Sequence, residues 1–204
     1  AEYSDIFNQQ KVNFDERSEL AQVVGSAIGR RQDQLILDAI AAASAGTTVA
    51  NTVVTSGSAG ASDLNVGKII AAAKALNAAN VPSTDRHMVI HANGLAALLG
   101  DERAVSSDFN SLQALQRGDI NTFMGFTMHV LGDRDEGGLA IDGSSDRTNF
   151  AFHKSAIGCA VGMAPTTKID YIAEKTSFLV AACLSMGAVA IDAAGIVDVT
   201  TREA

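Results

Sequence analysis

From residue 15 onward, apolar positions recur at intervals of three and four: Leu20, Val23, Val24, Ala27 and Ile28, then Leu35, Ile36 and Ile40. The spacing predicts one amphipathic helix reaching about Ala43. Asp15, Glu16 and Glu19 crowd its start, where carboxylates cap free amides and meet the positive end of the helix dipole. At about thirty residues it is long for a globular helix and is expected to act as a strut. Arg30-Arg31-Gln32-Asp33-Gln34 interrupts its middle, and Gly25 and Gly29 admit a bend or a close neighbour. Residues 1–14 carry no such stripe and read as an arm or loop.

Small and β-branched residues fill positions 44–62, punctuated by Gly46, Gly57 and Gly60, which predicts a short strand around Val49–Thr55 and a linker after it. Ser62 or Asp63 is expected to cap a second helix, with Leu64, Ile69, Ile70, Ala73 and Leu76 inward and Asn80-Val81-Pro82 as its stop. His87–His91 reads as a strand, and Asn93 as the cap of a short helix over Leu95–Leu99 closed by Gly100. Ser107 caps a further helix with Leu112 and Leu115 inward, ended by Gly118. Positions 120–131 read as extended, with Gly125 as a turn or bulge. A polar, glycine-rich loop covers 132–148. Phe150–Phe152 reads as a strand leading into a helix through Ala156 and Cys159 that ends near Pro165, and 168–199 as strands broken at Gly187 and Gly195. Helices and strands intermix without the regular alternation of a doubly wound sheet, so the fold class is α+β.

Composition narrows the function. The 204 residues include 35 alanines, 18 glycines and no tryptophan, which favours close backbone approach over packing by large side chains. The longest apolar run, Ser177–Ile191, falls short of the roughly 20 residues of a membrane helix, so no membrane partner is expected. The N-terminus is polar, without a signal peptide, and begins at Ala1 rather than Met, as after removal of a Met or cleavage of a precursor. The net charge of −8 argues against affinity gained by neutralising nucleic-acid phosphates. Residues 133–146 hold five carboxylates and one arginine, half of that excess. Cys159 and Cys183 stand in apolar stretches and are expected to be buried thiols.

The chain offers little chemistry. Gly57-Ser58-Ala59-Gly60 lacks both a following Lys-Ser/Thr pair and dinucleotide-turn spacing, and reads as a linker. His87 and His91 share a strand face, so a two-histidine metal site is conceivable, but no cysteine or carboxylate stands beside them at ligand spacing. Asp133, Asp135, Glu136, Asp142 and Asp146 offer oxygens to a hard cation, yet the twelve-residue calcium pattern fails because Ser144 stands where its closing Glu belongs. His153, Lys154 and Ser155 suggest a base and nucleophile without the G-x-S-x-G turn. Arg30-Arg31 is read as a salt-bridge donor facing a neighbouring subunit or solvent. No catalytic residue, cofactor-binding residue or metal ligand is assigned, and no cofactor is expected.

Five segments, taken in order, do resemble a known family: RRQDQLILDAI from Arg30; KIIAAAKALNAANVPSTDRHMVIHANGLAALLGD, with Arg86 before a strand; GDINTFMGFTMHVL, with Gly118, Gly125 and Phe126 framing a strand; NFAFHKSAIGCAVG; and KTSFLVAACLSMGAVAIDAAGIVDVTT. Together the chain resembles the major capsid proteins of tailed bacteriophages, with the Hong Kong 97 fold, over residues 15–202. The resemblance implies a non-enzymatic subunit that assembles with itself as hexamers and pentamers into an icosahedral shell. That shell encloses double-stranded DNA without specific contacts. It implies residence in the virion after assembly in the host cytoplasm, and allows scaffolding, portal and decoration proteins as partners. It further implies an arm or loop remnant over 1–14, a peripheral lobe from 15–62 plus 164–186, and an axial lobe from 63–163 plus 187–204. An extended loop usual in the family before the strut helix is not matched here, so the Lys–Asn crosslink of some relatives has no assigned residues. Two alternatives stand beside this reading: an encapsulin-like shell around a cargo enzyme, and a soluble α+β enzyme with a site around His87, His91 and His153.

Overall fold

A computed structural model describes residues 1–43, 47–55, 60–100, 122–133, 135–139 and 141–203. The chain forms two compact units, each built from separated segments: residues 1–36 with 159–188, and 37–158 with 189–204. The helix expected over 107–118 lies outside the described residues.

The first unit begins with strand β1 (Glu2–Asp5), helical turn α1 (Ile6–Gln9) and most of helix α2 (Glu16–Ala43). Residues 2–5, expected as arm or loop, form an edge strand paired antiparallel with β8 (Ser177–Ala190), Glu2 opposite Val180. Local polar contacts fasten this stretch to the helix start. Ser4 Oγ donates to Glu16 at 2.9 Å, and Gln9 Oε1 accepts from the Glu16 amide at 3.1 Å. The Asp15 carbonyl accepts from the Ser18 and Glu19 amides. Helix α2 has the expected length and acidic first turn. Its buried face is narrower than the periodicity implied, because Val24 is buried while Val23 is exposed.

Strands β7 (Ile157–Ile172) and β8 complete a three-stranded sheet in the order β1-β8-β7. Here the sequence expectation fails: residues 157–165 are strand, not helix, and only Lys154–Ala156 make a single 3-10 turn. Pro165 is tolerated because β7 is an edge strand, where one missing N–H leaves no partner unpaired. Cys159 and Cys183, expected to be buried, are both exposed, for they lie on the β7–β8 part of this sheet rather than in a core.

The second unit is organised around a six-stranded mixed sheet in the order β2-β9-β6-β3-β5-β4. Its strands are β2 (Thr48–Val49), β3 (Arg86–His91), β4 (Thr122–Phe123), β5 (Phe126–Leu131), β6 (Asp146–His153) and β9 (Ile196–Arg202). Strand β2 is much shorter than the Val49–Thr55 expected. Central β3 runs parallel to β5 and antiparallel to β6. In register, Met88 stands beside Met128 and Ala151, and Ala151 beside Val197, so one face of the sheet is continuous and apolar. Helix α3 (Val66–Ala78) lays Ile69, Ala72 and Leu76, all fully buried, into the same core as Leu98 of helix α4 (Ala92–Gly100). Ile70, expected inward, is exposed.

The cap of α3 is Asn65, not Ser62 or Asp63. Its side chain accepts from the Lys68 amide at 3.0 Å while its amide group donates to the Val53 carbonyl at 3.1 Å. The helix ends where expected, with Asn80 in the left-handed region at φ 57°. Arg86 secures the turn that follows, donating to the Pro82 and Val81 carbonyls and to Asn77 Oδ1 at 2.6–2.8 Å. Met124 and Gly125, at φ 50° and 84°, make the two-residue turn joining β4 to β5. Both central residues of such a turn need positive φ to match the strand twist.

Candidate functional site

The histidines singled out by sequence do not converge. His87 and His91 share one face of β3, as strand periodicity requires, but His153 stands opposite Arg86 and so points to the other face. Each has its own surroundings.

His91 is buried at the end of β3 beside a polar network that joins loop 132–145 to the last described residues. At its centre is Arg147 on β6, whose side chain is only 2% exposed. Arg147 Nε and Nη2 donate to the two carboxylate oxygens of Glu203 at 2.6 and 3.0 Å, a bidentate pairing. Its Nη1 donates to Asp133 Oδ1 at 2.7 Å and to the Leu139 carbonyl. His91 lies 3.3 Å from Glu203 and 3.4 Å from Asp133. Asn93 donates to Glu203 at 3.0 Å. Asn149 donates to Thr201 Oγ1 at 3.0 Å and accepts from the His91 amide at 3.2 Å. Glu203 is held below the ordinary carboxylate range, first by the hydrogen bonds from Arg147. Every donor of this cluster faces an acceptor already in place, so its chemistry is that of a fastener.

A second fastener sits one register pair away. Asp146 accepts from Arg202 at 2.5 and 3.0 Å and from Asn51 at 3.0 and 3.1 Å. Those hydrogen bonds, Arg202's first, lower its carboxyl to about 2. Lys68, fully buried, donates its ammonium to the Ser62 and Asp63 carbonyls, and burial lowers its pKa to about 8. Of the acidic run weighed as a cation site, Asp133 and Asp146 are thus occupied by arginines, and Asp142 Oδ1 accepts from the Ser144 and Asp146 amides at 2.8 Å. Among the described residues no group of three or more His, Cys, Asp or Glu side chains is placed to hold a metal ion.

His153 Nδ1 lies 2.7 Å from Ser155 Oγ and also accepts from the Ser155 amide, within the short turn after β6. It caps that turn, a local role that accounts for the pair without chemistry. His87 meets a partner the sequence reading did not pair with it: its Nδ1 is 3.1 Å from Nε2 of His129 on β5. The two are 42 positions apart, and only the parallel register of β3 with β5 brings them together.

Among the described residues, the β7–β8 ribbon carries a long exposed stretch. Every residue from Cys159 to Tyr171 is exposed, with Val161, Met163, Ile169 and Tyr171 between 44% and 56% accessible. On β8, Cys183, Ser185, Gly187 and Val189 alternate outward. A long strand edge with apolar side chains is a template for pairing with another chain.

Several solved structures from phages superpose on this chain. The chain superposes on a structure from Mycobacterium phage Che8 with a TM-score of 0.71 at 20% identity, over 97% of this chain and 68% of that one. For the capsid of cyanophage P-SCSP1u the values are 0.69 and 14%, over 100% and 71%. For the head of Helicobacter pylori bacteriophage KHP40 they are 0.70 and 11%, over 98% and 72%. No curated protein matches the chain. The architecture is therefore the Hong Kong 97-type fold of virion shell subunits, as its order of segments implied. A family model described as phage capsid protein matches residues 1–203. The chain belongs to the phage capsid protein family, and its function is that of a major capsid protein that forms a multimeric shell. The alternative of a histidine-centred enzyme is not favoured. Among the described residues no helix is long and apolar enough to cross a membrane.

Proposed function

We propose that the chain tiles an icosahedral shell as hexamers and pentamers around double-stranded DNA, assembling in the host cytoplasm and catalysing no reaction of its own. The observation that carries this reading is the β7–β8 ribbon, whose apolar side chains Val161, Met163, Ile169 and Tyr171 are 44–56% exposed. Hydrophobic contacts of modest size suffice when many identical copies repeat them. The net charge of −8 per subunit suits a container that repels its cargo and leaves it mobile.

The lobe division supports the same reading. Residues 15–62 with 164–186 would form the peripheral lobe, and 63–163 with 187–204 the axial lobe. Two compact units built from interleaved segments favour two lobes, although residues 37–62 cluster with the second unit. Scaffolding, portal and decoration proteins remain partners of the proposal, not of the fold.

Electron microscopy of the purified protein tests the proposal. Closed, uniform particles with five- and six-subunit clusters, and the β7 edge covered by a neighbour, are expected. A protein that stays monomeric at high concentration and turns over a substrate lost on His153→Ala would overturn it.

A further inference from the structure

We infer that His87 and His129 form a two-ligand site for a divalent first-row transition ion on strands β3 and β5 of the second unit's sheet. Two ring nitrogens, His87 Nδ1 and His129 Nε2, already face one another at 3.1 Å. Metal–imidazole bonds of about 2.0–2.1 Å place two nitrogens about 2.9 Å apart at a right angle and about 3.4 Å apart in a tetrahedron. The observed separation lies between these values, so the spacing is already that of a chelating pair, and the rings need only turn until both lone pairs converge on one ion. His129 is exposed and His87 half-buried, which leaves water for the remaining positions.

The rings are steadied in this arrangement. Both are carried on adjacent hydrogen-bonded strands rather than on loops, and the Phe152 ring packs 5.8 Å from His87 on its other side. The ring planes of the pair are tilted by 32°, with centroids 5.2 Å apart. In the metal-free pair one nitrogen carries the shared proton. Metal binding moves that proton to the far nitrogen of the same ring through solvent, so neutral rings bind with no net proton release. Imidazole pairs favour Cu2+ over Ni2+ and Zn2+ by the usual order of stability, so Cu2+ is the tightest ion expected.

Acid opposes binding because the proton and the metal compete for the same lone pairs. Burial, and then the neighbouring His129, hold His87 below the ordinary histidine value. Asp85 acts in the opposite sense, and Lys154 and His153 act with His129. The ion requires neither the Arg147 network nor the bare ribbon, so the site stands or falls apart from the shell reading.

The test is titration of the purified protein with Cu2+, and then Ni2+, followed by electron paramagnetic resonance and calorimetry, for the natural chain, His129→Gln and His87→Gln. One ion per chain is expected, with a spectrum showing two equivalent nitrogens. Each substitution should weaken binding by about tenfold or more, as even loss of a supporting partner does at metal sites, and leave a one-nitrogen spectrum. His129→Gln changes an exposed side chain and carries the test if His87→Gln alters the fold. Equal binding by the natural chain and His129→Gln, or a one-nitrogen spectrum in both, would overturn the inference and leave the pair as a hydrogen bond only.

Discussion

Replacing Arg147 with Met isolates the energetic role of the polar network in the second unit. The substitution keeps an apolar stem of similar length and removes the guanidinium that donates to Glu203, Asp133 and the Leu139 carbonyl. Asp133 is 67% exposed, so it regains water and contributes little to the loss. The Glu203 side chain is only 10% exposed, so its carboxylate is left largely desolvated. Breaking a buried pair from one side costs about 3–5 kcal/mol, and the hydration left to Asp133 places this case near 3 kcal/mol. For a chain of this length that is a fall in Tm of about 6–12 °C. Acidification sets the sign of a second signature. In the natural chain Glu203 has a lowered pKa, so its contribution is present above its ordinary value of 4.5 and lost as pH falls through the folded value. In Arg147→Met the stranded carboxyl titrates upward instead, and protonation relieves the penalty, so the two melting curves converge as the solution is acidified. The assay is thermal and urea unfolding of unassembled subunits at equal concentration, with Arg147→Met/Glu203→Gln as the companion variant. The reasoning fails if the single variant costs less than about 1 kcal/mol, or if removing the second charge restores nothing.

Four further outcomes are expected. Gly67→Ala would put a Cβ 2.8 Å from the Thr55 amide nitrogen and 2.9 Å from the Val54 carbonyl carbon, and backbone does not yield, so a loss of about 1–3 kcal/mol is expected in thermal melts. Gly25→Ala meets nothing within 4 Å on helix α2 and should stabilise by about 0.4–1 kcal/mol. Gly125→Val forces a β-branched residue to φ 84° in the β4–β5 turn; a loss of at least about 1–2 kcal/mol is expected, and an unchanged melting curve would show that the hairpin turns another way. Asp146 should titrate near 2 by carboxyl NMR. Its depressed pKa means that its support is complete above about 4 and disappears as pH falls toward 2, whereas Asp146→Asn should abolish that segment of the acid curve.

What the sequence disclosed follows the range of the forces involved. Helix α2, the stop at Asn80-Val81-Pro82, strand β3 and the turn at Gly125 are written in local spacing and backbone preference, and they were legible. Residues 157–165 were not, because AIGCAVGMAP is apolar and small without either period, and an edge strand lets proline stand inside it. The cysteines were misjudged for the same reason: apolar neighbours along the chain do not imply a core when the strand is exposed on both faces. The cap of α3 fell to Asn65 because Val53, twelve positions back, supplies an acceptor for its amide group. Arg147 with Glu203, and His87 with His129, are 56 and 42 positions apart. Strand register alone joins them, and register is not visible in one sequence. Family membership became visible earlier than any site because it rests on the order of segments, which survives where individual contacts do not.

Strand β9 lies between β2 and β6, in the interior of its sheet, although it follows all its neighbours in chain order. During synthesis β2 and β6 therefore emerge without the strand that joins them, and that gap closes only when 196–202 follow. The interleaved segments impose the same delay on the other unit, whose β1 waits for β8. Neither sheet can therefore complete its pairing until the later segment of the chain has been made.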